Sequence, residues 1–557
     1  MSIHLRGAGG ASGIALGRAV LYLPVQAAPE PTDPDPESAL ARFTAAQAAA
    51  SAALTALAER LRAEGRAQEA GIFEAQALLV EDQFLGDGVA RRVRDEGEPL
   101  AAALAATVAQ MRADLEALDD PYLRERAADM DAIGQSILAA LRGESAALRD
   151  LPADAVVVAA DLTPAETGEL RSGAVVGFAT AYGGPTGHTA ILARALGIPA
   201  VVGLGPAALD VPDGAEVILD GMAALLIAQP TPEERAEYGR RGADERAASE
   251  RRRLALLDQP GQLAGGQRVA LWANIGHPDE AARALEYGAE GIGLFRTEFL
   301  FLDRGAAPGE EEQLAAYRRA LDVMAGRPVV IRTLDIGGDK PLPYIDMPHE
   351  ANPFLGVRAL RLCMQRPDLF ATQLRALLRA AVHGDLWIML PMVATLDDLR
   401  WGRAQLAAAA ESLAAAGVAH RADIPLGIMI ETPAAAVTAD LLAREAAFFS
   451  VGSNDLTQYT MAADRGLGQL RQRYPHDAPA VLRLIAQAAE AAARAGIPIG
   501  VCGELAGEPD AAPILAALGV AELSMAPASI PLVKERLRAI TLEQARELAR
   551  AATLQGV

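Results

Sequence analysis

The sequence predicts a multidomain α/β protein: a C-terminal (β/α)8 barrel preceded by a small N-terminal α/β unit into which a helical bundle is inserted. Three observations predict it. From residue 268 to residue 527, eight strand-like runs recur, with helical segments between most of them, the pattern of a (β/α)8 barrel. Between Ser38 and Leu148 strand signals almost vanish, and Ala- and Leu-rich helices with charged faces replace them. Short β-branched runs lie on both sides of that segment, so the helices read as an insertion in one α/β unit.

Taken in order, residues 1–22 read as one or two short strands that join residues 149–229 to form the α/β unit. Residues 23–148, opening on the Pro/Asp/Glu-rich Ala28–Glu37, form the helical subdomain of three or four helices. AVVVAA, AVVGFAT and AEVILD supply strands of the α/β unit. A linker follows at 230–261, where Thr231–Asp258 is a charged helix with a proline near its start and Pro260 just past its end. Its Arg251, Arg252 and Arg253 form a solvated face, because acids are interleaved and no aromatics accompany them. Residues 262–557 are the barrel, with strands in RVALWAN, GIGLFRTE, PVVIRTLD, LWIMLPM, PLGIMIE, FFSVGS, PIGVCGE and ELSMAP.

The formal charge of −21, from 72 acids and 51 bases, argues against nucleic acid or an acidic membrane as the main partner and leaves room for a partner with a basic docking surface. The two cysteines, Cys363 and Cys502, make no disulfide framework, which points to a reducing, cytoplasmic setting. The N-terminus has no basic segment followed by an apolar core, and the charge-free Ser172–Ala193 is broken by glycines and Pro185, so neither a signal peptide nor a membrane span is expected.

Chemistry concentrates in two places. In Gly183–Gly203, His188 follows a glycine-rich turn and precedes Ile191, Leu192, Ala195 and Leu196 at helical spacing. It therefore sits at a helix N-terminus, where backbone N–H groups and the dipole favour an anion, and a neutral imidazole there is a competent phosphate acceptor. Alone, His188 reads first as a capping or packed histidine, and it is the rest of the chain that reverses this. The second place is the barrel rim. Arg296 closes the second strand, Arg332 and Asp335 the third, Glu431 the fifth, Asn454 and Asp455 the sixth, and Cys502 with Glu504 the seventh. Arginines, acids and a thiol at C-terminal strand ends fit a small, multiply charged anion.

Arg296, Arg332, Arg358 and Arg465 offer planar paired donors for carboxylate and phosphate, and Lys340 adds a point charge. Glu431 and Asp455 are hard oxygen ligands suited to Mg²⁺. Cys502 reads either as a small buried apolar residue or as a general acid that protonates the carbon of an enolate. Cys363, inside a helical run, reads as structural. The seven histidines show no zinc-ligand spacing, and neither GxxxxGK[ST] nor GxSxG occurs.

The stretches GGPTGHTAILARALGIPAVVG, GIGLFRTEFLF, RTLDIGGDKPLPY, NPFLGVRALR, GIMIETPAA, FFSVGSNDLTQYTMAADR and GVCGELAG together resemble the motif series of the enzyme I family of the bacterial sugar phosphotransferase system, the phosphoenolpyruvate-protein phosphotransferases. The resemblance covers nearly the whole chain. It implies a cytoplasmic homodimer, joined through its barrel, in which phosphoenolpyruvate bound with Mg²⁺ phosphorylates His188, and the phosphohistidine then passes its load to the carrier protein HPr docked on the helical subdomain. It further implies that Arg296 and Arg332 hold the phosphoryl end, that Arg465, Asn454 and Asp455 complete the pocket, that Glu431 and Asp455 bind the metal, and that Cys502 donates the proton to C3. One departure stands out: Pro185 and Gly187 occupy positions where the family carries a basic residue and a serine. That implies a changed rate with the acceptor kept. Two other readings share the motifs, a dikinase-type enzyme and a regulatory paralogue that binds a carrier without turnover. A dikinase needs a further ATP-binding domain of a few hundred residues, whereas only the helical segment precedes His188.

Overall fold

The computed structural model describes the chain except residues 1, 12, 23–34, 64–76, 78, 117–129, 131–132, 135–136, 139, 142–150, 153, 161, 163–174, 185–188, 191–192, 194–196, 303–305, 338–341, 343, 346–349, 351, 465–469, 471–472 and 555–557. The described chain falls into two compact units, one of residues 1–16, 177–205 and 217–557 and the other of 17–176 and 206–216, a division that runs through the N-terminal sheet.

That sheet contains β1 (Ile3–Arg6), β2 (Ala8–Ala11), β3 (Ile14–Tyr22), β4 (Ala155–Ala159), β5 (Val175–Thr180), β6 (Ala200–Val202), β7 (Glu216–Asp220) and β8 (Leu225–Ala228), in the order β1-β8-β7-β3-β4-β5-β6-β2. The first 22 residues thus hold three strands where the sequence suggested one or two. Gly13 explains the extra break: its φ of +119° ends β2 in a conformation that only glycine enters cheaply. β6 and β8 are too short, at three and four residues, to show an alternating pattern.

In the helical segment the described helices are Pro36–Ala63, Gln83–Asp95 and Leu100–Glu116, and Phe43, Leu85, Val89, Leu104 and Ile133 share one apolar core there. The charged helix after β8 runs over Pro232–Leu256. A capping box fixes its start, since Thr231 accepts from the Glu234 amide and Glu234 accepts from the Thr231 amide.

The barrel closes in sequence order from β9 (Ala270–Ile275) through β10 (Ile292–Phe295), β11 (Val329–Arg332), β12 (Leu386–Leu390), β13 (Leu426–Ile430), β14 (Phe449–Val451) and β15 (Ile499–Val501) to β16 (Glu522–Met525), which pairs with β9. Its pairings are parallel. Alternate residues such as Leu271, Ile331, Ile388, Ile428, Val501 and Leu523 belong to one large apolar core. Leu294, Val330, Met389, Met429, Phe448 and Cys502 form a second cluster, closed by Trp272 and Trp387, whose rings meet edge to face at 5.9 Å. These are the two faces of the strands, and the inner one is filled. Chemistry on this barrel is confined to its C-terminal rim.

Candidate active site

Two arginines organise the rim. Arg332 ends β11 with its side chain buried, its Nη1 2.9 Å from Asp335 Oδ2 and its Nη2 donating to Glu298. Arg358 takes the other side of Asp335, with Nε and Nη2 donating to its two oxygens at 2.9 and 3.1 Å, and then reaches Asp455 with Nη1 and Nη2 at 3.0 and 3.3 Å. Asp335 is therefore the joint between the two guanidinium groups. Gly337 makes this possible: at φ +111° it forms a bridge with Arg358, and a Cβ there would stand 2.4 Å from the Val357 carbonyl oxygen. Burial works against the charge on Arg332, but Glu298, Asp335 and Glu431 outweigh it and hold it protonated; Asp335 and Asp455 do the same for Arg358.

Glu431 follows β13 and is fully buried, with Oε1 accepting from the Met392 amide at 2.5 Å and Oε2 without a hydrogen-bond partner among the described residues. Burial, then the like charges of Asp455 and Asp335, push its carboxyl up to about 8. The described buried groups of this cluster are two guanidinium ions and four carboxyl groups, Glu298, Asp335, Glu431 and Asp455. A polyanion cannot bind to that set without added positive charge. Glu431 and Asp455 fit a divalent cation in their donor chemistry, and the orphaned Glu431 oxygen is the position where one would relieve the repulsion. Among the described residues no three His, Cys, Asp or Glu side chains gather into a ready-made cage. Such a metal would complete its shell from ligand and water, as Mg²⁺ commonly does.

Cys502 directly follows β15, is 2% exposed, and donates its thiol toward the Val451 carbonyl at 3.6 Å. Burial pushes the thiol up to about 12, so it stays protonated. Its backbone is pinned by a short chain: Ser524 donates to Asn274 at 2.6 Å and Asn274 donates to the Cys502 carbonyl at 2.9 Å. Next to it, the Glu504 amide donates to Asn454 Oδ1 at 3.0 Å, which orients that amide side chain at the rim. Arg296 lies exposed immediately after β10. Cys363 is buried in the helix Leu360–Gln365, and burial pushes its thiol up to about 12, which agrees with a structural role.

The structure thus brings Arg332, Arg358, Glu431, Asn454, Asp455 and Cys502 to the C-terminal ends of β11, β13, β14 and β15. His188, Lys340 and Arg465, with Pro185 and Gly187, lie outside the described residues. Sequence reasoning missed Glu298, whose signal was its place as the one acid in FRTEFLF, directly after Arg296 and Thr297 at the strand exit. It also missed the brace behind Arg332, where Thr297 donates to the Arg332 carbonyl at 3.0 Å and Gln373 donates to Thr297 at 3.2 Å.

A second omission is Glu522, at the start of β16. A Cβ on Gly500 would stand 1.7 Å from its Oε2 and one on Gly293 2.7 Å from its Oε1, so the two glycines leave the space the carboxyl fills. Its Oε1 is buried with no hydrogen-bond partner among the described residues, and burial pushes the carboxyl well above its usual range. Its stabilising contribution is fully present below the ordinary carboxylate range and is lost as pH rises through the folded-state value, because only the unfolded chain ionises freely. Glu522→Gln should therefore flatten the decline of barrel stability as pH rises above the ordinary carboxylate range, with urea unfolding across pH as the measurement. An unchanged decline would assign it to other groups.

Known proteins resemble this chain along most of its length. A family described as PEP-utilising enzyme, PEP-binding domain, matches residues 250–542. The matching N-terminal and mobile domains of PEP-utilising enzymes cover residues 6–126 and 151–224. A phosphoenolpyruvate-protein phosphotransferase of Geobacillus stearothermophilus is 44% identical over 98% of this chain and 94% of its own length. One from Priestia megaterium is 41% identical over 97% and 95%, and one from Staphylococcus epidermidis 40% over 99% and 97%.

Proposed function

The chain belongs to the phosphoenolpyruvate-protein phosphotransferases, and from that premise we propose that it moves the phosphoryl group of phosphoenolpyruvate to His188 and then to the carrier protein HPr, releasing pyruvate, as the first step of a sugar phosphotransferase system. The observation that carries this reading is the buried Arg332–Asp335–Arg358–Asp455 lattice beside Glu431 and Cys502 on one barrel rim. Neither a dikinase nor a regulatory paralogue is favoured, since the relatives match end to end under the transferase name.

In this mechanism Arg296 and Arg332 hold the phosphoryl end, Arg358, Lys340 and Arg465 supply further charge, and Asn454 and Asp455 complete the pocket. Glu431 and Asp455 would hold Mg²⁺, which when bound neutralises charge on the phosphoryl oxygens. His188 accepts the phosphoryl group: the bond from phosphorus to the enol oxygen breaks as a nitrogen–phosphorus bond forms. The enolate left behind takes its proton from Cys502, whose S–H bond breaks as a C–H bond forms at C3. The filled barrel interior excludes water from beneath the thiol.

The domain assignment belongs to the same proposal: residues 1–22 with 149–229 carry His188, 23–148 receive HPr, 230–261 link, and 262–557 bind phosphoenolpyruvate and join two copies into a homodimer. The setting is the cytoplasm. No helix among the described residues is long and apolar enough to cross a membrane.

Incubation with phosphate-labelled phosphoenolpyruvate and Mg²⁺, without ATP, tests the reading. Acid-labile label on the wild type but not on His188→Ala, with pyruvate released, is the expected result. A folded wild type that takes no label would overturn it.

A further inference from the structure

The way Arg332 is held poses a problem for any phosphoryl group that approaches it. A guanidinium grips such a group best through two nitrogens at once. Here Nη1 is engaged by Asp335 at 2.9 Å and Nη2 by Glu298, and only Nε lacks a hydrogen-bond partner among the described residues. Each terminal nitrogen keeps a second N–H, but both already face a carboxylate, so a phosphoryl group competes with those negative charges for the buried guanidinium, and one carboxylate giving way opens the paired grip. The two carboxylates are not alike. Asp335 is shared, both its oxygens bound by Arg358 at 2.9 and 3.1 Å, and moving it would undo the lattice. Glu298 has Arg332 as its side-chain partner, and its Oε2 is buried with no hydrogen-bond partner among the described residues. It sits on a three-residue turn, Glu298–Leu300, just past β10, with its carboxyl at the end of a side chain longer than that of aspartate.

We propose that Glu298 is a positioning residue that exchanges with the ligand: it occupies Arg332 in the empty site, yields Nη2 to the phosphoryl oxygens on binding, and takes the guanidinium back as the phosphoryl group leaves for His188. This rests on the transferase reading above. No covalent bond changes in the exchange; one charge-assisted hydrogen bond replaces another. Glu298 therefore opposes binding and assists departure. Brace residues do the reverse, since removing them loosens binding.

That difference in sign is the test. In the full chain carrying His188→Ala, which cannot turn over, calorimetric titration with phosphoenolpyruvate and Mg²⁺ should show Glu298→Gln binding roughly tenfold more tightly, because a charge competing with the ligand is gone. In the His188-intact chain the same substitution should slow single-turnover formation of phosphohistidine roughly tenfold. Glu298→Asp keeps the charge and should bind no more tightly than its parent, with its fold checked by thermal unfolding. Equal or weaker binding by Glu298→Gln would overturn the exchange and leave Glu298 a structural brace. Tighter binding by Glu298→Asp would overturn it too, since charge would not be the cause. If the parent His188→Ala chain binds no phosphoenolpyruvate, the transferase reading itself fails and the exchange falls with it.

Discussion

Replacing Arg358 by methionine should abolish turnover and lower the unfolding midpoint of the barrel by roughly 10 °C. The effect follows from what the guanidinium holds apart and together. It is bound through two nitrogens to Asp335 and again to Asp455, and all three side chains are buried. Methionine fills similar space but takes the Arg358 counter-charge away from both Asp455 and Asp335. Removing one member of a buried ion pair costs about 3–5 kcal/mol, chiefly the desolvation of the charge left behind. Arg358→Lys should recover little, since an ammonium cannot present paired planar donors to two carboxylates at once. Thermal unfolding and a pyruvate-release assay on the three proteins decide this. An unchanged midpoint in Arg358→Met would show that the lattice is balanced by groups elsewhere.

Much of this site was legible in the sequence because a parallel barrel translates position along the chain into position in space. Once PVVIRTLD and PLGIMIE are read as strands, Arg332 and Glu431 must emerge on the same rim. The hydrophobic runs that mark the strands exist because both strand faces are buried, one under helices and one inside the barrel. What the sequence left unsettled is what depends on pairing across the barrel. Arg296 and Arg332 had equal standing as strand-end arginines, yet Arg296 is exposed and Arg332 is locked between two acids. Part of the difference is local, since Asp335 follows Arg332 by three residues, but Glu298 reaches Arg332 from the exit of the neighbouring strand.

Glu522 escaped notice for a related reason. An acid at the start of ELSMAP reads as the solvated end of a strand, and only the approach of Gly293 and Gly500 reveals an enclosed carboxyl. The N-terminal sheet shows the opposite limit. Its order interleaves the first and last strands of the unit, with β1 on β8 and β2 on β6, both antiparallel. Periodicity reports that a segment is a strand but not which neighbour it chooses.

Replacing Cys502 by alanine should slow pyruvate formation by about 10²–10⁴-fold while leaving the first phosphorylation of His188 comparatively intact. The two steps separate because they use different groups. In the proposed mechanism phosphoryl departure depends on the arginines, the acids and a bound cation, none of which the substitution replaces. The enolate that remains then needs a proton at carbon, and the thiol is the protonated acid held at the rim. Burial, by pushing it up to about 12, keeps it in the S–H form that can donate. The Ser524–Asn274 chain to its backbone carbonyl fixes the strand end from which it projects. Alanine removes the proton but keeps the backbone, so protonation falls to water approaching from the open side. Turnover in deuterated water with substrate stereospecifically labelled at C3 distinguishes a slow protein acid from no protein acid. The wild type should deliver the proton to one face of the enolate, and Cys502→Ala should deliver it to both. If the variant kept both its rate and its facial preference, the thiol would be only a small apolar residue in the inner core, and the proton donor would have to be sought among the groups around Asn454 and Glu504.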